Sequence, residues 1–356
     1  MNERRYFALM RETSDITDKI ILDEIERVYS GRLREEVSDL PRRRVERRKP
    51  KSRPALMRMT YELCGGKNWR DFENVAAALE MLNLSTYVLN YVLDDKGGEK
   101  PKQQRNNECM VAMMQRELAQ GLVRKDATKM TLEQYLAIDE RLSEINRFTS
   151  GVGQFLDGNT LREVQENHVE AYIARCEGLT GRFMQYVAEI GGILAGSSEE
   201  EVHHLGEFGR NYGTIIQIIN DLDDYLPEEG VGRSAGKVYQ DQYSDLRHGC
   251  LTFPAYLVMT QGTEEEKAAV EQVQGRIDAP PSECYKVTEA LLRIDAVNQG
   301  KELAKGLAKE AKKALQHFEK SEARDYLSAA LSVYRSNRIY KEYAQLPQPP
   351  THHTIQ

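Results

Sequence analysis

An all-α fold is expected from three features of the 356-residue chain. Apolar residues recur at spacings of three and four along nearly its whole length. No long segment alternates apolar and polar residues between Asn-Gly or Asp-Gly turns, so strands are not needed. Gly-rich and Pro-containing breaks at Gly196, Gly230 to Gly236 and Ala279-Pro280-Pro281 punctuate the periodic stretches.

Element by element, Phe72, Val75, Ala76, Leu79, Leu82, Thr86, Leu89 and Leu93 form one helical stripe that runs into Asp94 and Asp95 and stops at Lys96-Gly97-Gly98. That puts two carboxylates at a helix C-terminus, the unfavourable end of the macrodipole, at a cost of about 0.3–1 kcal/mol each unless a cation relieves it. Glu163 to Leu194 reads as one long helix. The next stripe, Leu205, Phe208, Tyr212, Ile215, Ile219, Leu222 and Leu226, keeps a 3-4-3-4 rhythm until Pro227 ends it. Glu264 to Gln274, Ser282 to Phe318 and Glu322 to Tyr343 supply the remaining helices. Residues 1–344 are expected to form one domain. The Pro/His/Thr-rich segment 345–356 reads as a disordered tail.

Composition narrows the function. There are 49 Lys plus Arg against 56 Asp plus Glu, a net charge of −7, which argues against a nucleic-acid partner. The five cysteines are widely spaced and never form a Cys-x-x-Cys pair, so they suit a reducing compartment and read as small buried hydrophobes. Neither a signal peptide nor an apolar run of membrane-spanning length is evident, and a soluble cytoplasmic protein is expected. Within the basic connector 42–54, eight basic residues fall between Arg42 and Arg53, either a solvated connector or an anion-binding mouth. His203-His204, following Glu199-Glu-Glu201 at a helix start, reads as a solvent-exposed pair, and not as a metal site because no second His lies at i+4. Gly65-Gly66-Lys67 reads as a helix C-cap and turn.

The chemistry-bearing segment is Gln217-Ile-Ile-Asn220-Asp221-Leu-Asp223-Asp224-Tyr-Leu-Pro-Glu228. On a helix Asn220, Asp224 and Glu228 are spaced i, i+4, i+8, with Asp221 one residue round, so four oxygen-bearing side chains are expected to converge. Hard oxygen ligands without nearby His or Cys select Mg²⁺. The bland alternative is an ordinary acidic helix end.

Asn220-Asp221-Leu-Asp223-Asp224 followed by Asp245-Leu-Arg-His-Gly249-Cys-Leu-Thr252-Phe-Pro254 resembles the second aspartate-rich region of the all-trans polyprenyl diphosphate synthases. Four more segments match that family in order. They are Arg53-Pro54, Asp94-Asp95 at the first aspartate-rich motif, Gly153-Gln154-Phe-Leu-Asp157, and Thr180-Gly181 with Ala188 to Gly196; the terminal Glu322-Ala-Arg-Asp-Tyr-Leu also agrees. The resemblance implies an isoprenoid synthase bundle enclosing an apolar cavity, a homodimer, and up to three Mg²⁺ gripping a prenyl diphosphate between Asp94, Asp95, Asn220, Asp221, Asp224 and Glu228. It also implies substrate contacts from Arg53, Gln154, Thr180 and Gln217, and a cavity wall near Leu84, Tyr87, Val88 and Tyr91.

Departures from that pattern shape the functional expectation. After Asp94-Asp95 the family's third Asp and its Arg-Arg-Gly are replaced by Lys96-Gly97-Gly98. The Gly-Gly-Lys before Arg-Pro is absent, although Lys49 and Lys51 lie close. The family's Lys-Thr is Leu179-Thr180, and its Gly-Lys-x-Thr is Gly249-Cys250-Leu251-Thr252. Lys237 and Arg175 remain as substitute cations. Asn220-Asp221-x-x-Asp224-x-x-x-Glu228 is also similar to the metal motif of class I terpene synthases. In those enzymes an upstream Arg, here Arg175, and a C-terminal Arg-Tyr element, here Arg335, Arg338 and Tyr340, contact diphosphate. The sequence-based expectation is therefore a Mg²⁺-dependent terpene synthase of polyprenyl-synthase lineage. A prenyltransferase and a non-catalytic regulatory subunit are the alternatives.

Overall fold

The computed structural model describes residues 3–29, 42, 45, 50–93, 101–225 and 243–336. Helices α1 (Glu3–Val28), α2 (Ser52–Leu63), α3 (Glu73–Leu93), α4 (Lys102–Asp126) and α5 (Leu132–Ile145) come first. A wide, π-type turn, Asn146–Gly153, leads into α6 (Gln154–Asn159), and α7 (His168–Cys176) leads through a second such turn, Glu177–Gly181, into α8 (Arg182–Ala195). The rest is α9 (Glu199–Asp223), α10 (Ser244–Arg247), α11 (Phe253–Gln261), α12 (Glu264–Val273), α13 (Pro281–Arg293), α14 (Ala296–Ala314) and α15 (Glu322–Ser336). No strand occurs among the described residues, and no described helix is long and apolar enough to cross a membrane.

Local chemistry explains several helix starts. Thr131 with Gln134, Ser198 with Glu201, and Thr263 with Glu266 form reciprocal capping boxes at the starts of α5, α9 and α12. The C-cap read at Gly65 is present, with a left-handed φ of 88°. Two long helices expected from the sequence are divided. Between Glu163 and Leu194 the helix begins only at His168 and is widened at Glu177–Gly181; a π-type turn keeps most of the helical rhythm and so hides in the periodicity. Between Ser282 and Phe318 the chain breaks at Asp295, in the left-handed region at φ 58°, a conformation Asp tolerates better than most residues. None of the five cysteines forms a disulfide; Cys176, Cys250 and Cys284 are buried, while Cys64 and Cys109 are half-buried.

Helix α8 is buried on nearly every side, from Phe183 and Met184 to Gly192 and Leu194, as expected of a helix packed all round. It lies between α2 and α9, and α14 covers the far side of α9. Close approach depends on glycine. A Cβ on Gly191 would stand 2.0 Å from the Thr60 hydroxyl and 2.6 Å from the Met57 carbonyl of α2. On α9, Gly209 and Gly213 meet the backbone carbonyls of Met184 and Thr180 at 2.3 and 2.6 Å in the same sense. The seam sets the height of α9 against the turn that carries Thr180, and so places Gln217, one turn beyond Gly213, beside it.

The end of the basic connector turns inward. Lys51 is 8% exposed and lies 3.6 Å from Asp18 of α1, and Arg53 stands over the Phe183 ring with its guanidinium 4.7 Å from the centroid. Burial pushes Asp18 up to about 6 although Lys51 pulls the other way.

Replacing Gly191 with Ala is expected to destabilise the fold by about 2–3 kcal/mol, because the obstructing atoms include α2 backbone that cannot swing away. Urea unfolding should read this as a lower midpoint with unchanged slope.

Candidate functional site

The C-terminal end of α9 carries a buried polar network. The Thr180 hydroxyl donates to Gln217 Oε1 at 2.6 Å, and Gln217 Nε2 donates to Asp221 Oδ1 at 2.8 Å. Asp221 Oδ2 accepts from the Tyr172 hydroxyl at 2.8 Å and from Arg175 Nη1 at 3.0 Å. Arg175, 1% exposed, also binds Asp157 through Nε at 2.7 Å and Asp245 through Nη2 at 3.1 Å. One guanidinium thus holds three carboxylates, from α6, α9 and α10.

Placement follows from the local fold. Arg175 and Tyr172 are three residues apart on α7 and share a face. The wide turns at Asn146–Gly153 and Glu177–Gly181 touch where Gly153 meets Gly178, whose carbonyl would be 2.6 Å from a Cβ there. That contact brings Gln154, half-buried at the start of α6, to the seam that carries Thr180. Asp224 is 5% exposed; its Oδ2 accepts from the Asp245 backbone N–H at 3.3 Å, and its carbonyl accepts from Tyr243 N–H at 2.9 Å. Tyr225 and Tyr243 are anchored by the hydroxyls of Thr252 and Thr288. His168, buried and stacked on Tyr256 at 4.2 Å, bonds the Leu251 carbonyl and steadies the Cys250-Leu251-Thr252 strap.

Electrostatics follow burial. Desolvation raises Asp221 to about 6, opposed by Arg175 and reinforced by Asp245. Burial lowers the Arg175 guanidinium, but the three carboxylates outweigh it and hold the group firmly protonated. Burial also pushes the Cys250 thiol up to about 12, although Arg175 beside it pulls down. This thiol is no thiolate at neutral pH.

The sequence-derived residues separate into groups. Thr180, Gln217, Asp221 and Arg175 form one network, with Asp224 at its end. Of the four oxygen-bearing side chains expected to converge at Asn220 to Glu228, Glu228 lies outside the described residues; Asn220 is exposed, whereas Asp221 and Asp224 are buried. The cause is the 100° step between adjacent residues, which turns Asp221 away from the Asn220 side. Arg175, expected to touch diphosphate, has its guanidinium enclosed by carboxylates instead. Arg53 lies deeper, near Phe183 and Tyr212. Asp94, Asp95, Glu228, Lys237 and Arg338 lie outside the described residues, as does the tail, and of Tyr91 only the backbone, within α3, is described. Tyr172, Asp157 and Asp245 were not expected as site residues. The two aspartates stood in quoted motifs, but their shared partner, 18 and 70 residues away, has no sequence signal.

The donor set suits a hard divalent cation. Asn220 and Asp224 lie one turn apart at the helix end and carry an amide and a carboxylate, no imidazole lies among them, and the Cys176 thiol beside Asp221 is held protonated by burial. Asp221 already accepts from Tyr172, Arg175, Gln217 and the Cys176 thiol, which makes it a positioning group for this end of α9.

The polyprenyl synthetase family model matches residues 45–291. Octaprenyl diphosphate synthase of Escherichia coli is 28% identical over 253 residues, 68% of this chain and 72% of that protein. Geranylgeranyl diphosphate synthase of Saccharolobus solfataricus is 25% identical over 262 residues, covering 71% and 75%. Among solved structures, a polyprenyl synthase from Caulobacter crescentus, complexed with calcium and isoprenyl diphosphate, superposes with TM-score 0.76 at 19% identity, over 95% of this chain and 98% of that one.

Arg175→Gln should cost about 3–5 kcal/mol at pH 7, the penalty for leaving buried charge unpaired. Without the guanidinium, Asp221 titrates further above its unfolded value of about 3.9, so the folded state binds protons that the unfolded state releases. Folded stability of the variant therefore rises as pH falls from 7 toward 5, and the deficit narrows. Urea midpoints of both proteins at pH 5 and 7 check this; a pH-independent deficit would mean lost packing alone.

Proposed function

The chain belongs to the polyprenyl synthetase family, and from that premise we propose that it is a trans-prenyltransferase extending an allylic prenyl diphosphate with isopentenyl diphosphate. The observation that carries this reading is the intact relay Thr180–Gln217–Asp221–Arg175, which fixes Asp224 and the end of α9. The names of the relatives support elongation over the cyclisation expected from Asn220 to Glu228.

In this proposal Asn220 and Asp224 hold Mg²⁺ from one side, with Glu228, Asp94 and Asp95 completing the set. Bound Mg²⁺ would supply charge neutralisation for the departing diphosphate. The chain's own residues do the rest. Arg175 keeps the acidic end of α9 assembled, Thr180, Gln217, Gln154 and Arg53 orient the substrate, with Lys237, Arg338 and Tyr91 as further contacts, and the apolar wall near Leu84, Tyr87 and Val88 keeps water from the allylic cation. Breaking the allylic C–O bond, forming a C–C bond to isopentenyl diphosphate and losing one proton gives a chain one isoprene unit longer. A homodimer in the cytoplasm is the expected working form.

Radiolabelled isopentenyl diphosphate, offered with dimethylallyl, geranyl, farnesyl or geranylgeranyl diphosphate and Mg²⁺, should enter a longer diphosphate. Asp224→Asn should lower kcat/KM by at least about 100-fold, the scale of losing one fixed electrostatic contact in a closed site, and EDTA should abolish turnover. Hydrocarbon and pyrophosphate released without isopentenyl diphosphate would identify a cyclase instead. No turnover with any substrate would favour the regulatory subunit.

A further inference from the structure

His203-His204, expected to be plain surface, divides into two unlike residues. The His203 side chain is 71% exposed, whereas that of His204 is 15% exposed. On α9, Glu200, His204 and Glu207 are spaced i, i+4, i+7 and share a stripe. His317, in the 3₁₀ turn Leu315–His317 that follows α14, lays its ring on that of His204, with centroids 3.5 Å apart and planes inclined by 12°. Glu200, His204 and His317 each bring a ligand atom within 4.8 Å of the others. The histidine partner missing at i+4 comes from the far end of the chain.

The ring nitrogens are arranged for a ligand. His204 Nδ1 stands 3.1 Å from Glu207 Oε2, so a neutral ring donating Nδ1–H to that carboxylate keeps its Nε2 lone pair. A carboxylate behind a ligating imidazole fixes its tautomer and raises its basicity. Stacked rings aim their lone pairs along parallel planes, so sharing one ion requires the His317 ring to tilt off His204; the ligand atoms of Glu200, His204 and His317, already within 4.8 Å of one another, keep that movement to a side-chain rotation. Two imidazoles and a carboxylate select a borderline transition ion over Mg²⁺.

We infer that Glu200, His204 and His317 form a Zn²⁺ site, oriented by Glu207, with water in the fourth position. It lies about 25 Å along α9 from Asp221, at 1.5 Å per residue, so it is separate from the diphosphate site. The ion would clip the start of α9 to the turn after α14.

Calorimetric titration of the full-length protein with ZnCl₂, in buffer containing millimolar Mg²⁺ to saturate the acidic mouth, should give one Zn²⁺ per chain and a higher Tm. His317→Gln, His204→Gln and Glu207→Gln should each weaken binding by about 10–100-fold. His203→Gln and the paired change His352→Gln with His353→Gln should leave it unchanged. Binding that survives His317→Gln, or that disappears with the His352/His353 pair, overturns the site.

Discussion

One buried guanidinium organises the functional end of the molecule. Arg175 satisfies Asp157, Asp221 and Asp245 at once, and those residues arrive from α6, α9 and α10. Three carboxylates in a dry interior would repel one another and drive at least one to protonate. With the guanidinium among them, they become the fastening of three chain segments to one point. The desolvation cost is large on both sides, so the arrangement holds only while the geometry is complete. Tyr172 and Gln217 take up remaining acceptor capacity on Asp221.

A second constraint acts through steric contact. Glycines at 191, 209 and 213 let α2, α8 and α9 approach until backbone meets side chain or backbone, and that fixes the height of Gln217 beside Thr180. The wide turns at Asn146–Gly153 and Glu177–Gly181 do the same for Gln154 and Thr180, meeting at Gly153 and Gly178. Positions of polar atoms at the site are thus consequences of how closely the apolar helices can pack.

Much of this was legible in the amino-acid sequence because it is periodic or local. The stripe from Leu205 to Leu222 gave α9, and the capping pairs such as Ser198 with Glu201 lie three residues apart. The acidic cluster at the end of α9 followed from counting. What stayed hidden was long-range: the three partners of Arg175, the inward turn of Lys51 to Asp18, and the stacking of His204 on His317. Arg175 was recognised as important, yet for diphosphate contact, because spacing along a chain says nothing about which acids fold against a side chain. The widening at Glu177–Gly181 and the break at Asp295 stayed hidden for a different reason, since a π-type turn and a single left-handed residue barely disturb helical periodicity.

In the proposed reaction Arg175 acts as a brace and leaves contact with the anion to other groups. Crystals of the full-length protein grown with Mn²⁺ and inorganic pyrophosphate, with the metal located by anomalous scattering, test that directly. The expected result is Mn²⁺ coordinated by Asp224 and Asn220, with the Arg175 guanidinium still bound to Asp157, Asp221 and Asp245. A guanidinium swung onto the pyrophosphate, with Asp221 released to the metal, would contradict it.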